Sequence, residues 1–361
     1  MNESDRKPVK PKITPAKPPK RKSLPLWLAI PSALYVLFLL ILTGVNSAGP
    51  DQWAMGSFNL YVPQWLYALP AIPLLPLSLW RARRWWWVPL LCGLWVLGPI
   101  MGFCWRWFTP TADETKGTRL RVMTYNVKNG RNDLGAIAAD IQKFHPDILL
   151  CQESNGTFRA AAQNLLVGWN IQVGDQFLIA SKRFPLSPCQ LRELVFANYP
   201  MTVLRCQTEI GGRTVTLYTA HLKSPRGGLV AMIRNLRHPN QEQDDRLVWN
   251  TDLRLGEAHL LAGYLREETT PTLMTGDLNA PTQSLACREF FNEGFRDAFS
   301  DAGRGYGYSY GQKVRRMPFA YVRIDHVMLS KEWQALDCKV GNNEGSEHRP
   351  VIADLYLPKA N

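Results

Sequence analysis

Three uncharged stretches at the front of the chain, residues 23–50, 52–80 and 85–105, set the tightest limit on its fold. Each offers about 20 mostly apolar residues, enough as helix to cross roughly 30 Å of hydrocarbon. The second is interrupted by "LPAIPLLPL", whose three prolines kink a helix but are tolerated within a membrane. A cleaved signal peptide is the alternative for the first stretch. Its apolar run, 24–45, is longer than a typical signal core, "NSAG" is a poor cleavage site, and two more apolar runs follow. The expectation is three transmembrane helices within residues 23–107.

Charge supplies an orientation. Residues 1–110 hold 12 Lys+Arg against 3 Asp+Glu, leaving 30 against 27 for the rest. The basic balance therefore belongs to the front end and does not mark a nucleic-acid-binding domain. Residues 1–22, rich in Lys, Arg and Pro, lack the apolar groups for a core and read as a disordered tail. Positive charge in that tail and in "RARR" (81–84), with none in the loop around Asp51, places the N-terminus in the cytoplasm. Three crossings then leave everything after Phe108 outside it. Cys189 and Cys206 flank a potential strand pair and can bridge in an oxidising compartment, although buried free thiols are the simpler default.

Beyond a polar linker at 108–118, residues 119–361 alternate strand and helix patterns. "LRVMTYNV" alternates with period two, "LGAIAADIQKF" has a helical apolar stripe, and "DILLCQE" reads as a buried strand. "QFLIAS", "MTVLRCQTEI" and "TVTLYTAHL" follow, the last two joined by the hairpin signal "GGR". A helical pattern covers about 243–265, and "TPTLMTGDLNA", "VRIDHVML" and "VIADLYL" complete the strands. Hairpins mixed with helices imply an α/β (α+β) domain of mixed sheets covered by helices.

Polar residues recur where these strands end: Asn126, Glu153, His221, Asp277 with Asn279, Asp325, and His348 after Glu347. Singly, each reads as a cap or a loop residue. Together they describe side chains on rigid strand ends that can converge on one pocket. The chemistry suggested is phosphate-ester hydrolysis. Glu153 is a hard oxygen ligand suited to Mg²⁺, and the Asn126 and Asn279 amides can bind phosphate or fix the metal shell. An Asp325–His348 pair can activate water, with His221 protonating the leaving oxygen or stabilising the transition state. No serine or cysteine nucleophile motif stands out.

The ordered series "TYNV", "LLCQES", "TAHL", "TGDLNA", "RIDHVML" and "SEHRPV" resembles the endonuclease/exonuclease/phosphatase family over residues 119–357. The resemblance implies a four-layer α/β sandwich of two packed sheets flanked by helices, and a Mg²⁺ or Mn²⁺ cofactor. It also implies Glu153 as metal ligand with Asn126 beside it, Asp277 and Asn279 positioning water and phosphate, Asp325 orienting His348, and His221 as second catalytic histidine. The basic tail, three helices and outward domain resemble a bacterial subgroup anchored in the inner (plasma) membrane. One departure is Glu347, where the family usually has an Asp that helps to hold metal. Glu keeps the oxygen donors but moves them by up to roughly 1.5 Å.

Two segments are candidates for substrate contact: "KSPRGGLVAMIRNLRHPNQ" (223–241), read as a rim or solvated loop, and "GYGYSYGQKVRRMPFAY" (305–321). The expected partners are the lipid bilayer and a phosphate ester drawn from nucleic acid, nucleotide or phospholipid headgroup; no protein partner is expected. The competing reading is an inactive family member serving as an extracytoplasmic binding domain. A transport role fails on the three short spans and the large remainder.

Overall fold

The computed structural model describes residues 24–359 except 107, 109, 239–244, 312, 315, 316, 319 and 343. The basic tail 1–22, the Arg315–Arg316 pair and the end of the 223–241 segment lie outside the described residues.

Fourteen strands form among the described residues. The first four are β1 (Gly117–Asn126), β2 (Ile148–Gln152), β3 (Asn170–Gly174) and β4 (Phe177–Ser181). Next come β5 (Gln190–Phe196), β6 (Tyr199–Ile210), β7 (Arg213–His221), β8 (Thr272–Asp277) and β9 (Arg296–Asp297). A small hairpin, β10 (Lys313–Val314) and β11 (Met317–Pro318), precedes β12 (Asp325–Leu329), β13 (Gln334–Val340) and β14 (Val351–Pro358). The twelve strands outside that hairpin build two mixed six-stranded sheets, ordered β13-β14-β1-β2-β4-β3 and β5-β6-β7-β8-β12-β9.

Period-two alternation explains the layering. Leu120 and Val122 of β1, with Val351, Ala353 and Leu355 of β14, face Leu217, Leu273 and Val327 of the other sheet in one central core. The alternate residues Met123 and Tyr125 face helices α5 (Leu134–Phe144) and α6 (Gly156–Leu165), preceded in the chain by α1 to α4, described below. On the far side, Tyr218, Ala220 and Met274 pack under α8 (Arg246–Glu267) and α9 (Leu285–Asn292). The order is helix, sheet, sheet, helix, as the resemblance implied. α10 (Ala298–Ala302) closes one edge.

The segment 223–241, read as a loop, is largely a helix: α7 spans Arg226–Arg237. Leu229, Ile233 and Leu236 recur at helical spacing there, a stripe masked in the sequence by the glycines and arginines around it.

The front of the chain corrects the expectation of three crossing helices. α1 (Leu26–Ala48) is the one described helix long and apolar enough by itself; a signal sequence has the same character. The second stretch breaks into α2 (Ala54–Leu60), a 3₁₀ turn at Gln64–Ala68 and α3 (Ala71–Arg81), with a 95° bend at the break. Pro63 accounts for it, because it lacks an amide donor and disfavours helical backbone at Val62. α4 (Trp87–Trp95) and the π turn Val96–Ile100 together run about 21 Å, short of a bilayer core.

These helices dock on the sandwich. Arg288 of α9 donates to the carbonyls of Ser47 (2.8 Å) and Asn46 (2.7 Å), and α2 lies against α8. Cys104 and Gly305 exchange backbone hydrogen bonds at 2.8 and 2.9 Å, and the Tyr306 hydroxyl donates to Leu97 O. Cys189 and Cys206 form a disulfide at the start of the β5–β6 ladder.

Candidate active site

Strand direction determines where the polar ends meet. β1 runs parallel to β2, and β7 parallel to β8, so Asn126, Gln152, His221 and Asp277 all lie at carboxyl ends. β12 runs antiparallel to β8, which sets Asp325 directly opposite Asp277, while His221 pairs with Asp277 on its other side. β14 runs antiparallel to β1, so His348, just before it, arrives at the same edge. Beneath the edge, Gln152 Nε2 donates to Thr124 Oγ1 (3.0 Å) in one sheet and Thr219 Oγ1 (2.9 Å) in the other.

The turns leaving these strands are conformationally costly. Lys128, Glu153 and Asn279 have φ of 48°, 44° and 48°, a left-handed region unfavourable to residues with a Cβ. Gly276 has φ 147°, and a Cβ there would sit 1.9 Å from the Ala220 carbonyl oxygen. Only glycine lets β8 approach β7 so closely beside the site.

Asp277 lies at the centre. Its Oδ2 accepts from Asn126 Nδ2 at 3.0 Å and stands 3.5 Å from Nε2 of both His221 and His348. Asn126 Nδ2 also reaches Glu153 Oε1 at 3.1 Å, and Lys128 Nζ donates to the same oxygen at 2.6 Å. His221 Nδ1 is held by Gln176 Oε1 at 2.8 Å; His348 Nδ1 meets Asp325 Oδ2 at 2.9 Å. Asn279 donates its backbone N–H to Asp277 Oδ1 (3.0 Å) and its side-chain amide to Leu222 O (2.9 Å). The Ser309 hydroxyl accepts from the Asp325 N–H, and Ser346 Oγ donates to Asn126 O.

Burial opposes ionisation of Asp277, but His348, His221, Lys128 and the Asn126 amide outweigh it and hold the carboxyl below the usual carboxylate range. Glu153 is likewise held down: burial opposes, and Lys128, Asn126 and His221 prevail. For His348 burial disfavours the charged ring, yet the Asp325 and Asp277 carboxylates raise its proton affinity.

The structure thus brings together Asn126, Glu153, His221, Asp277, Asn279, Asp325 and His348. It sets Glu347 apart, at the rim, where Oε2 accepts from Arg226 Nη2 at 2.8 Å. Lys128, Gln176, Ser309, Ser346 and Tyr310 are additions. The Tyr310 ring lies 4.7 Å from the His348 ring and its hydroxyl accepts from Arg226. Among the described residues, Asp277, Asp325 and His348 place one ligand atom each within 4.8 Å of one another, close enough to share a cation. The Asp277 and Glu153 carboxyls, held below the usual carboxylate range, offer the hard oxygens that a divalent ion takes.

The profile of the Endonuclease/Exonuclease/phosphatase family matches residues 123–348, more than half of the chain. The chain belongs to the endonuclease/exonuclease/phosphatase family. It is accordingly an enzyme of the class that hydrolyses phosphate esters. No curated protein matches it in sequence. Solved structures share the fold. An endonuclease/exonuclease/phosphatase family protein from Bacteroides vulgatus superimposes with TM-score 0.52 at 16% identity, covering 66% of this chain and 99% of that one. The Bacteroides thetaiotaomicron family protein gives 0.51 at 15%, over 67% and 96%. TDP2 from D. rerio, complexed with single-strand DNA product, gives 0.50 at 15%, over 66% and 99%.

Proposed function

We propose that the protein is a membrane-tethered, divalent-metal-dependent phosphoesterase that cleaves its ester by direct attack of water. The observation that carries this reading is the convergence of two imidazole Nε2 atoms on one Asp277 oxygen, each ring held from behind by a separate partner.

His348 is the base. Asp325 holds Nδ1, which keeps the Nε2 lone pair directed into the pocket to take a proton from water. The water oxygen forms the new bond to phosphorus as the ester P–O bond breaks. His221, its Nδ1–H held by Gln176 Oε1 and its Nε2 facing the Asp277 carboxylate, acts as an imidazolium. It gives its Nε2 proton to the departing oxygen and is left as the neutral ring. Asn126 spaces the Glu153 and Asp277 carboxylates, and Asn279 anchors the end of β8. Glu153 and Asp277, with Asn126 beside them, would hold Mg²⁺ or Mn²⁺, and the ion would neutralise charge on the phosphoryl oxygens. Glu347, committed to Arg226, is left out of that set.

Tethering rests on the exposed apolar face of α1, where Leu26, Ile30, Leu34 and Ile41 stand uncovered. The Cys189–Cys206 disulfide supports a catalytic domain outside the cytoplasm.

The test is turnover of bis(p-nitrophenyl) phosphate by the full-length protein in nanodiscs with Mg²⁺ or Mn²⁺. Activity abolished by chelation and by His348→Ala is expected. Absence of turnover with either ion, together with no metal bound by calorimetry, would instead identify a binding domain.

A further inference from the structure

The pocket in front of His348 and Asp277 is two-faced. Its floor is the polar cluster, and its wall is largely apolar: Leu229, Val230 and Ile233 of α7, and Val322 and Ile324 before β12. The Tyr61, Tyr310 and Tyr321 rings complete that wall, with Ser224 and Arg226 at one end. The cavity is about 210 Å³. The tyrosine rings suit a base as well as an alkyl chain, but the five aliphatic side chains contribute nothing to binding a phosphate, a sugar or a stacked base. They stabilise an apolar group attached to the phosphate.

The wall does not end at the pocket. Val230 is 64% exposed and Leu236, beyond it on α7, 56% exposed, so an apolar track leads outward. Arg226 lies at the inner end of this helix. The opposite wall joins the N-terminal apolar segment. Tyr61 follows α2 directly, donates its hydroxyl to Asn279 O at 2.7 Å and lies under the Arg254 guanidinium. A few residues on, Tyr67 O accepts from Tyr35 of α1. The catalytic edge is therefore within one short turn of helices whose outer faces are apolar.

Resting on the phosphoesterase reading above, we infer that the substrate is an amphiphilic phosphate ester, a lipid phosphoester whose apolar chain lies along α7 while its phosphate meets Asp277 and His348. Tyr61 makes the N-terminal segment part of this substrate wall.

The experiment compares two diesters with the same scissile bond, p-nitrophenyl octyl phosphate and p-nitrophenyl methyl phosphate, on the full-length protein in nanodiscs with Mn²⁺. In both, water forms a new P–O bond, the bond to p-nitrophenolate breaks, and an alkyl phosphate remains. The readout is the ratio of kcat/KM values. A ratio of about tenfold or more in favour of octyl, collapsing towards unity in Val230→Ser/Ile233→Ser, is the expected result. If that variant melts early, Val230→Ala/Ile233→Ala gives the same readout. A ratio near unity, a ratio unmoved by either variant, or faster cleavage of a p-nitrophenyl ester of a single-stranded oligonucleotide overturns the inference while leaving the phosphoesterase reading intact. No turnover of any ester removes both.

Discussion

The Asp325 carboxylate brackets one nitrogen of His348, with Oδ1 and Oδ2 at 3.1 and 2.9 Å from Nδ1. Both side chains are buried, so the pairing is not dispersed by water. It selects the tautomer that carries its proton on Nδ1 and leaves Nε2 free to accept one. Asp325→Asn offers a neutral amide in the same volume. We expect kcat to fall by roughly 10² to 10⁴ with a thermal midpoint little changed. A loss below tenfold in steady-state assay would remove His348 as the base.

Glu153 lies beside Asn126 and Lys128 and is held ionised. Glu153→Gln keeps its shape but removes the charge that a divalent cation needs. Mn²⁺ affinity measured by calorimetry is expected to weaken by about tenfold or more. Unchanged affinity would place the ion elsewhere, on the Asp277, Asp325 and His348 group alone.

Where these residues were legible in the sequence, period-two patterning made them so. "RIDH" is the clearest case. Asp325 and His326 are adjacent, so a strand must send them to opposite faces. Asp325 meets His348 at the edge where the polar strand ends gather, whereas His326 is buried behind the sheet with Asp297 at 2.7 Å. The polar residue that ends an apolar run could be picked out at each strand because β-strands carry it to the edge.

Residues placed by loops had no such signal. Gln176 orients His221 from the β3–β4 turn, and nothing in "GDQF" marks it. Glu347 kept the family's charge, but its direction depends on Arg226, which arrives from a helix concealed within an apparent loop. The three apolar stretches were visible, while the break at Pro63 and the docking of Tyr61 against Asn279 depend on tertiary contacts.

Gly276 bears on stability rather than chemistry. A Cβ there would lie 1.9 Å from Ala220 O in the neighbouring strand, and its φ of 147° is hostile to any L side chain. Backbone is on the receiving side, so nothing flexible can yield. Gly276→Ala is expected to cost about 3 kcal/mol or more, read as a lowered urea midpoint or loss of soluble protein. A variant as stable as the parent would mean that β7 and β8 are not so tightly apposed.

Glu257 gives the fold a pH dependence. It is buried on α8, and its Oε2 accepts from the Lys223 N–H at 2.6 Å. Burial outweighs that hydrogen bond and the nearby Arg254, pushing the carboxyl up from 4.5 to about 7. The folded state therefore binds a proton more tightly than the unfolded chain. Its contribution to stability is fully present below about pH 4.5 and is lost as pH rises through about 7. Glu257→Gln retains an oxygen for the Lys223 amide but cannot ionise. Between these limits the parent's melting temperature should fall relative to the variant's, by a few degrees. Melting curves that stay parallel across this range would show that Glu257 is ionised in the folded protein throughout.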